Sequence, residues 1–186
     1  MENQIKQKIE ECFKELLKVL SKELKKYISA IETGQNHLTM LIAHTAHYRH
    51  AKCSDIENTE IFQKNPDIKL KLLHNISLEI DEEVNMISAV LDQLQKVYWT
   101  IKNQCDKILN LYQSNLYINL SIEDVTYGTE SSYCIAKKVE AVEQFKRLFS
   151  KIHLARKYTL NYHHSGGNLE KIQDLWDVSN LILAQQ

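Results

Sequence analysis

The sequence predicts an all-α protein, an elongated antiparallel bundle of three long helices followed by a short C-terminal helix. Two observations carry this prediction. Apolar residues recur every seven positions through the middle of the chain, which is typical of a helix packed along its length against other helices. The 186 residues also include only 4 glycines and 1 proline, so tight turns and hairpins are scarce. The members of the seven-residue series are Leu73, Ile80, Ile87, Leu94, Ile101 and Ile108.

The composition excludes several classes of protein. Hydrophobic residues make up 44% and charged residues 25% of the chain, and the net charge is −1, so any charged binding surface must be local. No apolar run approaches the ~20 residues that span a bilayer, and the first residues do not resemble a signal peptide. The four cysteines are widely spaced, which is typical of reduced intracellular thiols. We therefore expect one helical domain over residues 1–186.

The first long helix is predicted at about residues 2–52. Its apolar residues form two interleaved heptad series, which together make a stripe wide enough to be buried. Gly34 interrupts the first series, which indicates either a bend or a close approach of another backbone; we favour the bend. The stripe consists of Phe13, Leu17, Leu20, Leu24, Tyr27, Ile31, Leu38, Leu41 and Tyr48.

The second long helix is predicted at about residues 66–113. Its start is indicated by Asn65, Pro66 and Asp67, because asparagine caps free amides, proline suits the first helical position and aspartate complements the helix dipole. The seven-residue series then runs along this helix. It offers the largest apolar surface in the chain for packing against other helices.

Residues 115–130 are predicted as an extended linker, because apolar and polar side chains alternate there with a period of two. A third long helix is expected at about 131–163, with Ile135, Val139, Val142, Phe145, Phe149 and Ile152 facing the core. Glycines at 166 and 167 end it. A short fourth helix is expected at about 168–184.

The sequence contains no recognisable catalytic constellation. His44, His47, His50 and Cys53 are spaced by threes and are zinc-ligand types, but the series drifts around a helix and matches no zinc-site spacing. The acidic group at 79–83 spreads over several helix faces, which favours a solvated surface. We therefore expect no enzyme, no cofactor and no metal.

The third helix is predicted to carry a basic face, which suits either phosphate groups or an acidic protein surface, although solvation alone also explains it. Arg156, Lys157 and Tyr158 are conspicuous within it, because arginine and tyrosine are frequent in interface hot spots. The basic residues are Lys137, Lys138, Lys146, Arg147, Lys151, Arg156 and Lys157.

Several motifs resemble the AIRIM family, the AFG-interacting ribosome maturation factors. The C-terminal signature is the run 154–160, followed after a break by Leu169, Ile172 and Trp176-Asp177. Phe62 with residues 66–69, and Ile108 with residues 111–113, resemble the two ends of that family's middle helix. The order and spacing of these motifs agree over roughly residues 5–177.

The resemblance implies an adaptor rather than an enzyme. Members of the family pair with a second helical subunit, the cyclin-dependent-kinase-interacting protein, and dock on an AFG-type AAA+ ATPase that acts on cytoplasmic pre-60S ribosomal particles. We expect partner contacts at Arg147, Lys151, Arg156, Lys157, Tyr158 and Trp176. Trp176 suits the core equally well, and Phe62, Tyr98 and Tyr112 are expected in the core.

Two other functions stay open from the sequence. A basic-helix RNA-binding module would bind with a steep dependence on salt. A homodimeric coiled coil would show a mass and a melting temperature that depend on protein concentration. The expected location is the cytoplasm, with the nucleus as a second site.

Overall fold

The computed structural model describes residues 2–53, 60, 64–65, 67–116, 120, 122–127, 133–164 and 169–177. The helices are α1 (Glu2–Cys53), α2 (Asp67–Asn115), α3 (Ile122–Thr126), α4 (Ile135–His164) and α5 (Leu169–Trp176). No strand occurs within these ranges. The predicted all-α class, with three long helices and a short C-terminal helix, is confirmed. None of the described helices is long and apolar enough to cross a bilayer.

The helix boundaries agree with the sequence at most ends, but the linker does not. The predicted extended conformation of 115–130 is wrong at Ile122–Thr126, which form α3. The Thr126 hydroxyl donates to the Ile122 carbonyl over 2.7 Å, and the Tyr127 amide donates to the Glu123 carbonyl over 2.9 Å. These bonds close a turn within the segment, so its backbone groups pair locally and need no second strand. The predicted extension of the last helix beyond Asp177 lies outside the described residues.

Contacts divide the chain into two compact units, and the boundaries fall inside α1, α2 and α4. The first unit comprises Met1–Ile28 with Leu94–Leu154, and the second comprises Ser29–Gln93 with Ala155–Gln186. Each unit therefore contains a part of all three long helices.

In the first unit, α2 runs antiparallel to α4 and α1 runs parallel to α4. The pair Lys146–Asp106 and the hydrogen bond between Tyr98 and Ser150 fix the first relation, because the α2 numbers fall as the α4 numbers rise. In the contacts between α1 and α4 the residue numbers of both helices increase together, from the pair Glu10–Lys138 to the rings of Tyr27 and Phe149. The result is an up-down-up arrangement of three helices.

The core of the first unit combines aliphatic seams with an aromatic cluster. The Phe149 ring lies 5.0 Å from Tyr27, 5.6 Å from Phe145 and 5.8 Å from Tyr98 between centroids. Tyr98 also stacks on His153 at 4.4 Å, with 9° between the ring planes. The buried aliphatic residues of the first unit include Ile9, Leu16, Leu94, Val97, Ile101, Ile108, Ile135, Val139 and Val142.

In the second unit, α1 and α2 are again antiparallel. His37 Nδ1 lies 2.7 Å from Glu83 Oε2, and His44 Nδ1 lies 3.1 Å from Glu79 Oε2, so the α2 numbers fall as the α1 numbers rise. The core residues are Ala30, Leu38, Leu41, Ala51, Ile76, Ile87, Val90, Ile172 and Trp176.

The predicted seven-residue series of α2 is largely the buried seam. Ile87, Leu94, Ile101 and Ile108 are at most 1% exposed, whereas Leu73 and Ile80 are half-buried. The predicted stripe of α1 is only partly correct. Its buried residues are Ile9, Cys12, Leu16, Glu23, Tyr27, Ala30, Gly34, Leu38, Leu41 and Ala51.

The error on α1 has a definite form. Leu17, which the heptad pattern places in the core, is 66% exposed. Phe13, Leu20 and Leu24 of the same predicted stripe are half-buried. Helix α1 therefore carries two adjacent apolar stripes in the first unit, of which this chain buries one completely and leaves the other partly at the surface.

Candidate functional site

The six residues predicted to contact a partner separate into buried and exposed groups. Trp176 and Arg156 are 1% and 8% exposed and lie in the interior of the second unit. Lys157 and Tyr158 lie at its surface, and Lys151 and Arg147 lie at the surface of the first unit. The sequence allowed Trp176 either a partner contact or a place in the core, and in the structure it lies in the core. Of the aromatics expected in the core, Tyr98 and Tyr112 are half-buried, and Phe62 lies outside the described residues.

The structure brings Arg156 and Trp176 together at the end of α5. The Nε of Arg156 donates a hydrogen bond of 3.2 Å to the backbone carbonyl of Trp176. Trp176 is the last residue of α5, where carbonyls lack partners within the helix and carry the negative end of the dipole. The guanidinium therefore caps α5 and holds it against α4, which explains why a cation is buried there.

Gly34 of α1 lies under the Trp176 indole. A Cβ at position 34 would overlap Trp176 Cζ2, lie 2.5 Å from Trp176 Cη2 and lie 3.0 Å from Val90 Cγ1. Of the two explanations of Gly34, the structure shows a close approach, and the group that approaches is a side chain rather than a backbone. Absence of a Cβ makes the space into which α5 inserts its tryptophan.

Several cations of α4 in the first unit are used inside the protein. Lys138 pairs with Glu10 at 2.6 Å, and its Nζ lies 5.8 Å from the centre of the Phe13 ring. Lys146 pairs with Asp106 at 2.5 Å. Two lysines of the basic face predicted for this helix are therefore engaged in ion pairs with other helices.

Asp106 of α2 contacts two lysines, Lys102 on its own helix and Lys146 on α4. Its carboxylate accepts from Lys102 at 2.7 Å in addition to Lys146. Burial acts to raise the pKa of Asp106, but hydrogen bonds from Lys102 and then Lys146 outweigh it, so the pKa lies below the ordinary value of 3.8. The adjacent Cys105 is fully buried, and the loss of hydration raises the pKa of its thiol to about 11.

The side chains of the histidine series of α1 do not gather at one point. His44 faces Glu79 across the second unit, and the His44 and His47 rings are 6.5 Å apart. Among the described residues, no group of three or more histidine, cysteine, aspartate or glutamate side chains could hold a metal ion.

A groove between α1 and α4 of the first unit was not predicted. It has a volume of about 420 Å³ and is lined by Glu10, Phe13, Lys14, Leu16, Leu17, Leu20, Lys138, Ala141, Val142 and Phe145. The lining is mainly apolar, and it includes the half-exposed stripe of α1. The signal for this α1–α4 groove was present in the sequence, because α1 carries more apolar positions than one buried stripe requires.

Comparison with known proteins gives a family. The family model described as "CA109-like: Ribosome biogenesis protein C1orf109-like" matches residues 3–185. No curated protein matches the chain at a significant level. AIRIM is the name of the C1orf109 family, so the resemblance stated from the sequence motifs is confirmed. The match covers nearly the whole chain, and the protein therefore belongs to the C1orf109-like family of ribosome biogenesis proteins.

Proposed function

We propose that this protein is a non-catalytic adaptor that pairs with a second helical protein and couples an AFG-type AAA+ ATPase to the maturation of cytoplasmic pre-60S ribosomal particles. The observation that carries the proposal is the match to a ribosome biogenesis family over residues 3–185. The helical partner is the cyclin-dependent-kinase-interacting protein that the AIRIM resemblance implies.

The surface of the chain supports a role in protein–protein contact. Large apolar side chains lie exposed on several helices, including Leu17 on α1 and Tyr158 on α4. Tyr158 is 51% exposed beside the exposed Lys157. Tyrosine is enriched in interface hot spots, so Tyr158 with its neighbour Lys157 is the proposed contact point in the second unit.

An RNA-binding function receives less support. Binding to a nucleic-acid backbone requires cations that face solvent and replace counterions. Lys138 and Lys146 of the predicted basic face are instead paired with Glu10 and Asp106, and Arg156 is buried. The adaptor proposal does not need these cations at the surface.

The test is purification of the tagged chain from its own cells in gentle salt, with identification of the co-purifying proteins by mass spectrometry. We expect an AFG-type ATPase, the helical partner and pre-60S proteins. Recovery of none of the three overturns the proposal. The double variant Lys157→Glu with Tyr158→Ala should reduce their recovery, because it removes the proposed contact point.

A matched control is Lys71→Glu, which changes the same charge at an exposed position of α2 in the same unit. It should leave the recovery of the partners unchanged. Equal loss with Lys71→Glu would show that net charge, rather than the contact point, governs association.

A further inference from the structure

The α1–α4 groove of the first unit is an apolar surface that the described residues of this chain do not cover. Leu17 is 66% exposed at its edge, Phe13, Leu20 and Phe145 are half-buried within it, and Ala141 is exposed. Leu148, which follows Phe145 along the same side of α4, is 46% exposed. A contiguous apolar surface of this kind usually marks a binding site.

The rim of the groove is basic. Lys14, Lys18 and Lys25 are exposed on the solvent side of Leu17, within about 100° of it around α1 at 100° per residue. Lys137 is exposed on the solvent side of Ala141 on α4. None of these four lysines forms an ion pair with another described residue.

Two of the acidic residues near the groove have their charge compensated by a lysine. Glu10, which lines it, pairs with Lys138 at 2.6 Å. Glu15 pairs with Lys107 at 2.9 Å, whereas Glu11 and Glu140 accept hydrogen bonds of 3.1 Å from the neutral amides of Gln7 and Gln144 and keep their charge. Four lysines without an ion pair to a described residue thus outnumber these two carboxylates, so the local charge that faces an incoming molecule is positive, although the whole chain has a net charge of −1.

We propose that the α1–α4 groove binds an amphipathic helix of a partner protein whose polar face is acidic. Apolar side chains spaced at i, i+3, i+4 and i+7 on that helix would fill the groove, and its carboxylates would meet the lysines of the rim. That the helix belongs to a subunit of the adaptor's assembly rests on the proposed function.

A second copy of this chain fits the groove less well. In a symmetric dimer the same patch lies on both sides of the interface, so two positively charged rims would be brought together. Like charges placed opposite each other disfavour that pairing. Charge complementarity therefore selects an acidic partner.

The experiment uses the purified full chain and two labelled helical peptides of about five turns, roughly 18 residues. Both carry leucine at i, i+3, i+4 and i+7; the remaining positions are mostly glutamate in one and mostly lysine in the other. Fluorescence anisotropy measures the binding. We expect the glutamate peptide to bind about tenfold or more tightly than the lysine peptide, with an affinity that falls as salt rises.

Three variants locate the site. Leu17→Glu should weaken binding of the glutamate peptide about tenfold or more, because it places a carboxylate in the groove. The double variant Lys14→Glu with Lys18→Glu should reverse the preference between the peptides. Leu78→Glu changes a leucine that is 53% exposed in the second unit and should have no effect. Since these side chains are exposed, circular dichroism should show all variants folded.

Each contrary result overturns the inference. No binding of the glutamate peptide, equal binding of both peptides, or an unchanged affinity in Leu17→Glu excludes an acidic helix from the groove. A wild-type dimer in sedimentation velocity that Leu17→Glu converts to a monomer assigns the groove to a second copy.

The peptide assay contains no ATPase, so its outcome is separate from that of the purification from cells. Recovery of the ATPase without peptide binding retains the adaptor function and rejects the groove. Peptide binding with recovery of none of the three (the ATPase, the helical partner and pre-60S proteins) rejects the adaptor function and leaves the groove a binding site for an acidic helix.

Discussion

Replacement of Gly34 by alanine tests how α5 is held in the second unit. In an ordinary helix interior this change stabilises a protein by about 1 kcal/mol, because alanine restricts the unfolded chain and favours the helix. Here the new Cβ would lie 2.5 Å from Trp176 Cη2 and 3.0 Å from Val90 Cγ1. Both distances are shorter than ordinary van der Waals contacts, which begin near 3.4 Å.

The indole has little freedom to yield. Trp176 is 1% exposed, and its own carbonyl is held by Arg156. Overpacking of a close-packed core costs about 1–3 kcal/mol, and the severity of this overlap places the cost near the upper end of that range. After the gain in helix propensity, we expect Gly34→Ala to lower stability by about 1–2 kcal/mol and the Tm by about 2–8 °C.

The assay is thermal and urea unfolding followed by circular dichroism, together with tryptophan fluorescence in a Trp99→Phe background that leaves Trp176 as the only reporter. Asn36→Ala, at an exposed position of the same helix, is the control and should raise stability by about 0.5 kcal/mol. In a Trp176→Leu background the penalty of Gly34→Ala should shrink, since the overlapping ring atoms are gone. If Gly34→Ala stabilises the protein as Asn36→Ala does, the close approach of Trp176 to α1 is refuted.

Two further predictions concern the first unit. Asp106→Asn should destabilise the protein by about 1 kcal/mol at pH 7. Because the folded-state pKa of Asp106 is lowered, its carboxylate stabilises the protein above the unfolded value of 3.8, and this stabilisation is lost as the pH falls from 3.8 through the folded-state pKa. Urea unfolding should therefore show a smaller difference in stability between the variant and the wild type at pH 3 than at pH 7. An equal difference at both pH values would contradict the ion-pair explanation. Iodoacetamide at pH 8 should label the exposed Cys53 in the native protein. The buried Cys105, with its pKa of about 11, should stay unlabelled until urea unfolds the chain. If mass spectra show both cysteines labelled at the same rate, Cys105 is accessible in the native protein.

The second long helix shows how much the sequence alone could predict. The uninterrupted seven-residue series marks one face of α2 along its length, and Ile87, Leu94, Ile101 and Ile108 are buried as the series predicts. The start of the helix near Asn65 also follows from local capping chemistry, since α2 begins at Asp67. Local pattern was sufficient because both the heptad series and the capping residues act along a single helix.

The burial of Arg156 and Trp176 could not be predicted from local sequence patterns. Arginine and tryptophan are hot-spot residues at interfaces, yet Arg156 and Trp176 are also able to pair within a core when a helix end needs a cation. Their burial required α5 to return to α1 at Gly34. The spacing between these three positions in sequence gives no measure of their distance in space.

The sequence by itself determined an all-α chain, its long helices and the buried seam of α2, because helix periodicity and capping act between residues a few positions apart. Only the tertiary structure decided which of two apolar stripes on α1 enters the core and which lines the α1–α4 groove. Both stripes have helical periodicity, and their burial depends on where α4 packs. Leu17 is exposed and Leu16 is buried for that reason: the choice between adjacent faces of one helix is made by its neighbours.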